Sequence, residues 1–100
     1  MNSMDSENQR LHVIVKGIVQ GVGFRFFVYQ HGNLLKLRGW VRNRINGDVE
    51  VLAEGPKKDL DYFFDKLKAG PELAQVVEAN ADWQPFIGDL GVFTVLPTDY

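Results

Sequence analysis

The chain has 100 residues, 45% of them hydrophobic, with no Cys, two His and a formal net charge of −2. That makes one domain with room for a core; lack of Cys excludes disulfides, a thiol nucleophile and zinc–thiolate sites, and His12 and His31 alone do not form a histidine-rich metal cluster, so no metal or other cofactor is expected. No apolar run approaches the roughly 20 residues of a membrane helix, and residues 1–9 lack the basic start and apolar core of a signal peptide, so a cytoplasmic chain without membrane contact is expected.

Residues 1–10 are polar and read as a flexible N-terminal extension to a domain spanning 11–100. Leu11-His12-Val13-Ile14-Val15-Lys16 is β-branched and loosely alternating, a first strand; His12 on it is expected at the surface or a sheet edge. Phe24, Phe27, Val28, His31 and Leu35 recur at i, i+3, i+4, i+7 and i+11, the buried stripe of a first helix. Gly32 inside that helix costs about 1 kcal/mol against alanine, which close packing would explain. Leu37 to Ile45 alternates as a second strand, with Leu37, Gly39, Val41, Asn43 and Ile45 on one face and Arg38, Trp40, Arg42 and Arg44 on the other. Asn46-Gly47 is a hairpin signal, and Asp48 to Glu54 returns as a third strand with Val49, Val51 and Ala53 on one face. Gly55-Pro56 opens a second helix whose stripe is Leu60, Phe63, Phe64 and Leu67, and Gly70-Pro71 ends it. Val77, Ala79, Ala81 and Trp83 mark a fourth strand and Val92 to Leu96 a short fifth; Gln84 to Gly91 carries little readable pattern. This order predicts a split βαβ arrangement: an α+β, ferredoxin-like sandwich (βαββαβ plus a short terminal strand) with a mainly antiparallel sheet and two helices on one face.

Chemistry concentrates where the first strand passes into the first helix, at Gly17-Ile18-Val19-Gln20-Gly21-Val22-Gly23-Phe24-Arg25. Glycines permit positive φ and close backbone approach, so successive N–H groups can turn inward around an anion. The helix start adds unpaired N–H groups and the positive end of its dipole. Arg25 adds a planar fork suited to phosphate oxygens. No Lys-Ser or Lys-Thr follows the glycines, so this is not a P-loop; Phe26 stands where a dinucleotide fingerprint needs its third glycine. On glycine spacing alone, a plain tight turn is an equal reading, and Asn43 by itself is as well explained as a structural asparagine. From Asn8 to Gly47 the chain carries Arg10, Lys16, Arg25, Lys36, Arg38, Arg42 and Arg44 and no acid, while eleven acids and four lysines follow Gly47. A basic half of this kind favours an anionic ligand.

The run Gly17–Arg25 resembles the signature loop of the acylphosphatase family, and Gly39-Trp40-Val41-Arg42-Asn43 resembles that family's second signature at a matching distance. The resemblance covers Leu11 to Leu96. It implies the ferredoxin-like fold, an acylphosphatase-like domain over 11–100, and hydrolysis of acyl phosphates to a carboxylate and inorganic phosphate. It further implies catalytic roles for Arg25 and Asn43, with the phosphate held by Gln20, Gly21, Val22, Gly23, Phe24 and Arg25. Members usually carry a small residue at the position of Gly32 and a helix-ending glycine at that of Lys36; a lysine held in the left-handed region costs on the order of 1 kcal/mol. The partners implied are a small-molecule acyl phosphate and its phosphate product; a monomer is the default expectation, and with only two histidines and no carboxylate in the basic half no metal is expected. Gly23-Phe24-Arg25-Phe26-Phe27-Val28-Tyr29 superficially resembles an RNA-recognition motif, but those aromatics enter a helix and not a sheet platform, so no nucleic acid is expected. With no Ser, Thr or Cys in the loop, water is the expected nucleophile, and the phosphate is expected to be the recognised part, the acyl group mattering less.

Overall fold

A computed structural model describes residues 7–99. Its elements are β1 (Asn8–Ile18), α1 (Phe24–Leu34), β2 (Arg38–Asn43), β3 (Val49–Pro56), α2 (Lys57–Ala69), β4 (Gln75–Pro85) and β5 (Thr94–Val95). The strands form one sheet in the order β4-β1-β3-β2-β5. All neighbours are antiparallel except β2 and β5, which run parallel. Because β3 is antiparallel to both β1 and β2, those two strands run the same way with β3 between them. This is the split βαβ topology that the element order predicts.

Alternation decides which face is covered. Leu11, Val13 and Val15 of β1, Val41 of β2, and Val49, Val51 and Ala53 of β3 are all fully buried on one face. Both helices cover that face, contributing Phe24 and Val28 from α1 and Leu60, Phe63 and Leu67 from α2 to the same cluster. Phe93, from the segment before β5, completes it and meets the Phe63 ring edge-on at 5.8 Å. Gly32 is small because of this aromatic: a Cβ built there would stand 2.7 Å from the Phe93 ring. Lys36, just past α1, takes φ 57°, the left-handed conformation foreseen for it.

Three local expectations need correction. The extension expected over residues 1–10 lies outside the described residues up to residue 6, and from Asn8 the chain is already paired in β1, with Asn8 opposite Pro56 and Gln9 opposite Pro85. Of the two places expected for His12 the surface holds and the edge does not: β1 is an interior strand, and the partly exposed His12 lies on the sheet face that carries no helices, its Nε2 2.6 Å from Oε2 of Glu50. In β4 the inward residues are Val76 and Ala79, and Val77 is 81% exposed. The cause is an irregularity opposite Lys16/Gly17, where the register steps from Glu78 to Val76 and leaves Val77 unpaired, so the parity of the alternation changes there.

The helix-free face is held by charge. Glu50, 6% exposed, receives Arg42 Nε at 2.9 Å and Arg44 Nη1 at 3.2 Å besides its His12 contact. Glu54, 1% exposed, accepts from Arg10 and from the backbone N–H groups of Ile87 and Gly88, which ties the β4–β5 connection to the sheet. Lys16 pairs with Asp48, and Asp99 lies within ion-pair range of Arg42 and Arg44. Most of the basic half is therefore neutralised by acids of the second half. Arg25, Lys36 and Arg38 are its cations without an ion pair among the described residues.

Candidate active site

The loop leaving β1 and the C-terminal end of β2 meet at one end of the sheet because those strands run the same way. Gly21 and Gly23 adopt φ of 74° and 79°, values a side chain would strain, and Gly23 caps α1 in the left-handed region with no side-chain cap bond. The first helical bond runs from Phe27 N–H to Gly23 C=O at 3.0 Å. Among the described residues, the N–H groups from Gly21 to Phe26 have no carbonyl partner, so up to six backbone donors and the positive end of the helix dipole lie along this loop.

A cleft of about 370 Å³ opens there, lined by Val19, Gly21, Gly23, Phe24, Arg25, Phe26, Asn43 and Val95. Arg25, in the first turn of α1, and Asn43, the last residue of β2, thus share one cavity. Asn43 falls on the buried parity of β2 with Gly39 and Val41, which turns it toward the helices and not toward the charged face. It is 9% exposed, its backbone C=O accepts from Asp99 N–H at 3.0 Å, and its Oδ1 has no hydrogen-bond partner among the described residues. A buried amide oxygen without a protein partner is uncommon and calls for an explanation.

Gln20 and Val22 do not line the cleft. The Gln20 Nε2 donates at 2.8 Å both to Arg44 C=O and to Asp48 C=O, so its side chain straps the loop to the β2–β3 hairpin beside Asn43. Its backbone N–H is what it can offer an anion. Val22 is half-buried against the core and pins the loop from below. Sequence reasoning did not single out Val19, Phe26 or Val95. For Phe26 a signal was available, since it lies off the buried stripe of α1.

Among the described residues, none that lines the cleft is an acid, a histidine, a serine or a cysteine. His31 stands a helix turn and more away, edge-on to Phe27 at 4.6 Å; burial, helped by the nearby Lys66 charge, holds its pKa below the ordinary histidine value. Among the described residues no three His, Cys, Asp or Glu side chains converge to hold a metal. Among the described residues no helix is long and apolar enough to cross a membrane.

Fold and cleft together define a small α+β domain whose cleft brings together an arginine, unpaired backbone N–H groups and one amide side chain. Comparison with known proteins says which. The family model described as Acylphosphatase matches residues 11–95. The acylphosphatase of Moorella thermoacetica is 48% identical over 75 residues, covering 75% of this chain and 81% of that one. That of Pyrobaculum islandicum is 41% identical over 93 residues, covering 92% and 98%. The crystal structure of the Bacillus subtilis acylphosphatase superposes with a TM-score of 0.85 at 38% identity, covering 88% of this chain and 98% of that chain. The chain belongs to the acylphosphatase family and is a hydrolase of that kind.

Proposed function

We propose that the chain hydrolyses the carboxyl–phosphate bond of acyl phosphates by direct attack of water, with Arg25 and the N–H groups from Gln20 to Arg25 on the phosphoryl oxygens and Asn43 on the water. The observation that carries this is the unpartnered Oδ1 of Asn43 on a residue that shares its cleft with Arg25 and the free N–H groups. Asn43 takes no proton, but its carbonyl accepts a hydrogen bond from the water and orients it toward phosphorus. Arg25 and the loop donors stabilise the equatorial oxygens as charge redistributes. As the new O–P bond forms, the bond from phosphorus to the carboxyl oxygen breaks and its electron pair leaves with the carboxylate. The proton of the water passes to the substrate itself. Gln20 acts as a strap that sets the distance between the loop and Asn43.

Selectivity follows from the lining. A phosphate monoester expels an alkoxide, which needs a proton donor or a metal. An acyl phosphate expels a carboxylate whose conjugate acid has a pKa of roughly 4, so it needs neither. The test is phosphate release in metal-free buffer from acetyl phosphate and from glycerol phosphate, compared by kcat/KM. Rapid turnover of the first and negligible turnover of the second is expected; comparable values would overturn the mechanism. Every group invoked comes from one chain, so a monomer is the working unit, checked by sedimentation equilibrium.

A further inference from the structure

Phe26 is an apolar side chain that packing does not require. The core-facing side of α1 is occupied by Phe24, Val28 and Gly32, with Phe27 and Leu35 packed beside them. Phe26 points elsewhere, is 60% exposed and lines the cleft immediately next to Arg25. Its ring stacks on Tyr29 one turn along, with centroids 6.4 Å apart and planes inclined by 22°, so it is braced in place. Val95, 41% exposed, lines the same cleft, and Val19 and Phe24 add further apolar lining. Among the described residues, Arg25 is the cleft's one charged side chain. About 370 Å³ is near the lower end of the ~300–1,000 Å³ typical of small organic ligands, and a tetrahedral phosphate of five heavy atoms leaves much of it empty.

We propose that Phe26, braced by Tyr29, is the acyl-side wall of the cleft, and that the substrates are acyl phosphates whose acyl group is aromatic or a bulky hydrocarbon. This rests on the acyl phosphate reading above and goes beyond it, because discrimination then resides in the acyl group as well as in the phosphate. The chemistry disfavours the polar alternatives: among the described residues an ammonium group finds no carboxylate in the lining, and a second carboxylate would compete with the phosphate for Arg25. An aromatic acyl group gains by covering Phe26 and stacking on it.

The experiment compares benzoyl phosphate with acetyl phosphate in the wild type, Phe26→Ala and Phe26→Leu, with kcat and KM determined separately. Taking the ratio of the two substrates within each protein cancels general damage to the site. The benzoyl-to-acetyl ratio of kcat/KM should fall about tenfold in Phe26→Ala, chiefly through KM, because the wall touches ground and transition states alike. Phe26→Leu should keep part of the preference. An unchanged ratio in both variants, with acetyl phosphate still hydrolysed, would remove the acyl wall and leave the acyl phosphatase reading standing. A wild-type protein that hydrolyses neither compound would overturn both.

Discussion

Replacing Asn43 by alanine separates a catalytic asparagine from a structural one, because the two roles move stability and turnover in opposite proportions. The Asn43 Oδ1 is buried and unpartnered, and an unpaired buried acceptor costs about 1–3 kcal/mol, which truncation returns. Against this stand the packing contacts of three removed heavy atoms, at about 0.1–0.2 kcal/mol per atom pair. Those two effects are of similar size, so the folded state should change by about 1 kcal/mol or less, a few degrees in Tm for a domain of this length. Turnover should respond differently, since a preorganised hydrogen-bonding group of this kind is worth about 100- to 1,000-fold in kcat, or ~2.7–4 kcal/mol. Thermal unfolding, calorimetric phosphate binding and phosphate release from acetyl phosphate measure the three quantities independently. Asn43→Ala should melt near the wild type, bind phosphate with little loss and turn over slowly. Asn43→Asp should instead lose phosphate affinity, because it sets a carboxylate beside the anion. A Asn43→Ala protein that retains wild-type kcat, or that loses ~3 kcal/mol of stability, would return Asn43 to a structural role and refute the reasoning.

Arg25→Lys should be nearly as damaging as Arg25→Gln to kcat/KM and to inhibition by phosphate, because lysine keeps the charge but not the fork; wild-type inhibition by phosphate in Arg25→Gln would show that the anion binds elsewhere. Lys36→Gly should stabilise the fold by about 1 kcal/mol, raising Tm by ~4–8 °C, since φ 57° is strained for lysine and free for glycine; an unchanged melting curve would mean the strain is relieved by something else. Burial opposes ionisation of Glu50, yet hydrogen bonds from His12 and Arg42 and the charges of both outweigh it, so its pKa lies below the ordinary value of 4.5. That contribution is complete above the unfolded-state pKa and is lost as pH falls through the lower folded one. The stability gap between wild type and Glu50→Gln should therefore shrink on acidification, and a gap independent of pH would contradict the assignment. Dialysis against a chelator should leave acetyl phosphate turnover intact; loss of activity that Mg²⁺ restores would require a carboxylate ligand not recognised in the cleft.

Much of the architecture is written locally. The spacing of Phe24, Phe27 and Val28, the alternation through Leu37–Ile45 and the Asn46-Gly47 turn each specify an element from neighbours a few residues apart, and those elements recur in the fold. The alternation also puts Asn43 on the buried face of its strand, and the glycines mark the loop before Arg25. Pattern fails where an element's geometry is irregular: Val77 shares the parity of Ala79, yet the bulge opposite Gly17 puts the two on different sides and leaves Val77 exposed. The basic half reads as a field for anions, yet cross-strand pairing with Glu50, Glu54, Asp48 and Asp99 neutralises most of it and leaves Arg25 as the charge in the cleft. No local signal brings Arg25 to Asn43, eighteen positions apart in the sequence. That meeting requires β3 to insert between β1 and β2 so that both strands finish at one end of the sheet, and it requires Gln20 to reach the hairpin carbonyls. Periodicity records which side of an element avoids water; which elements become neighbours is decided by non-local strand pairing, and this site is built from that pairing.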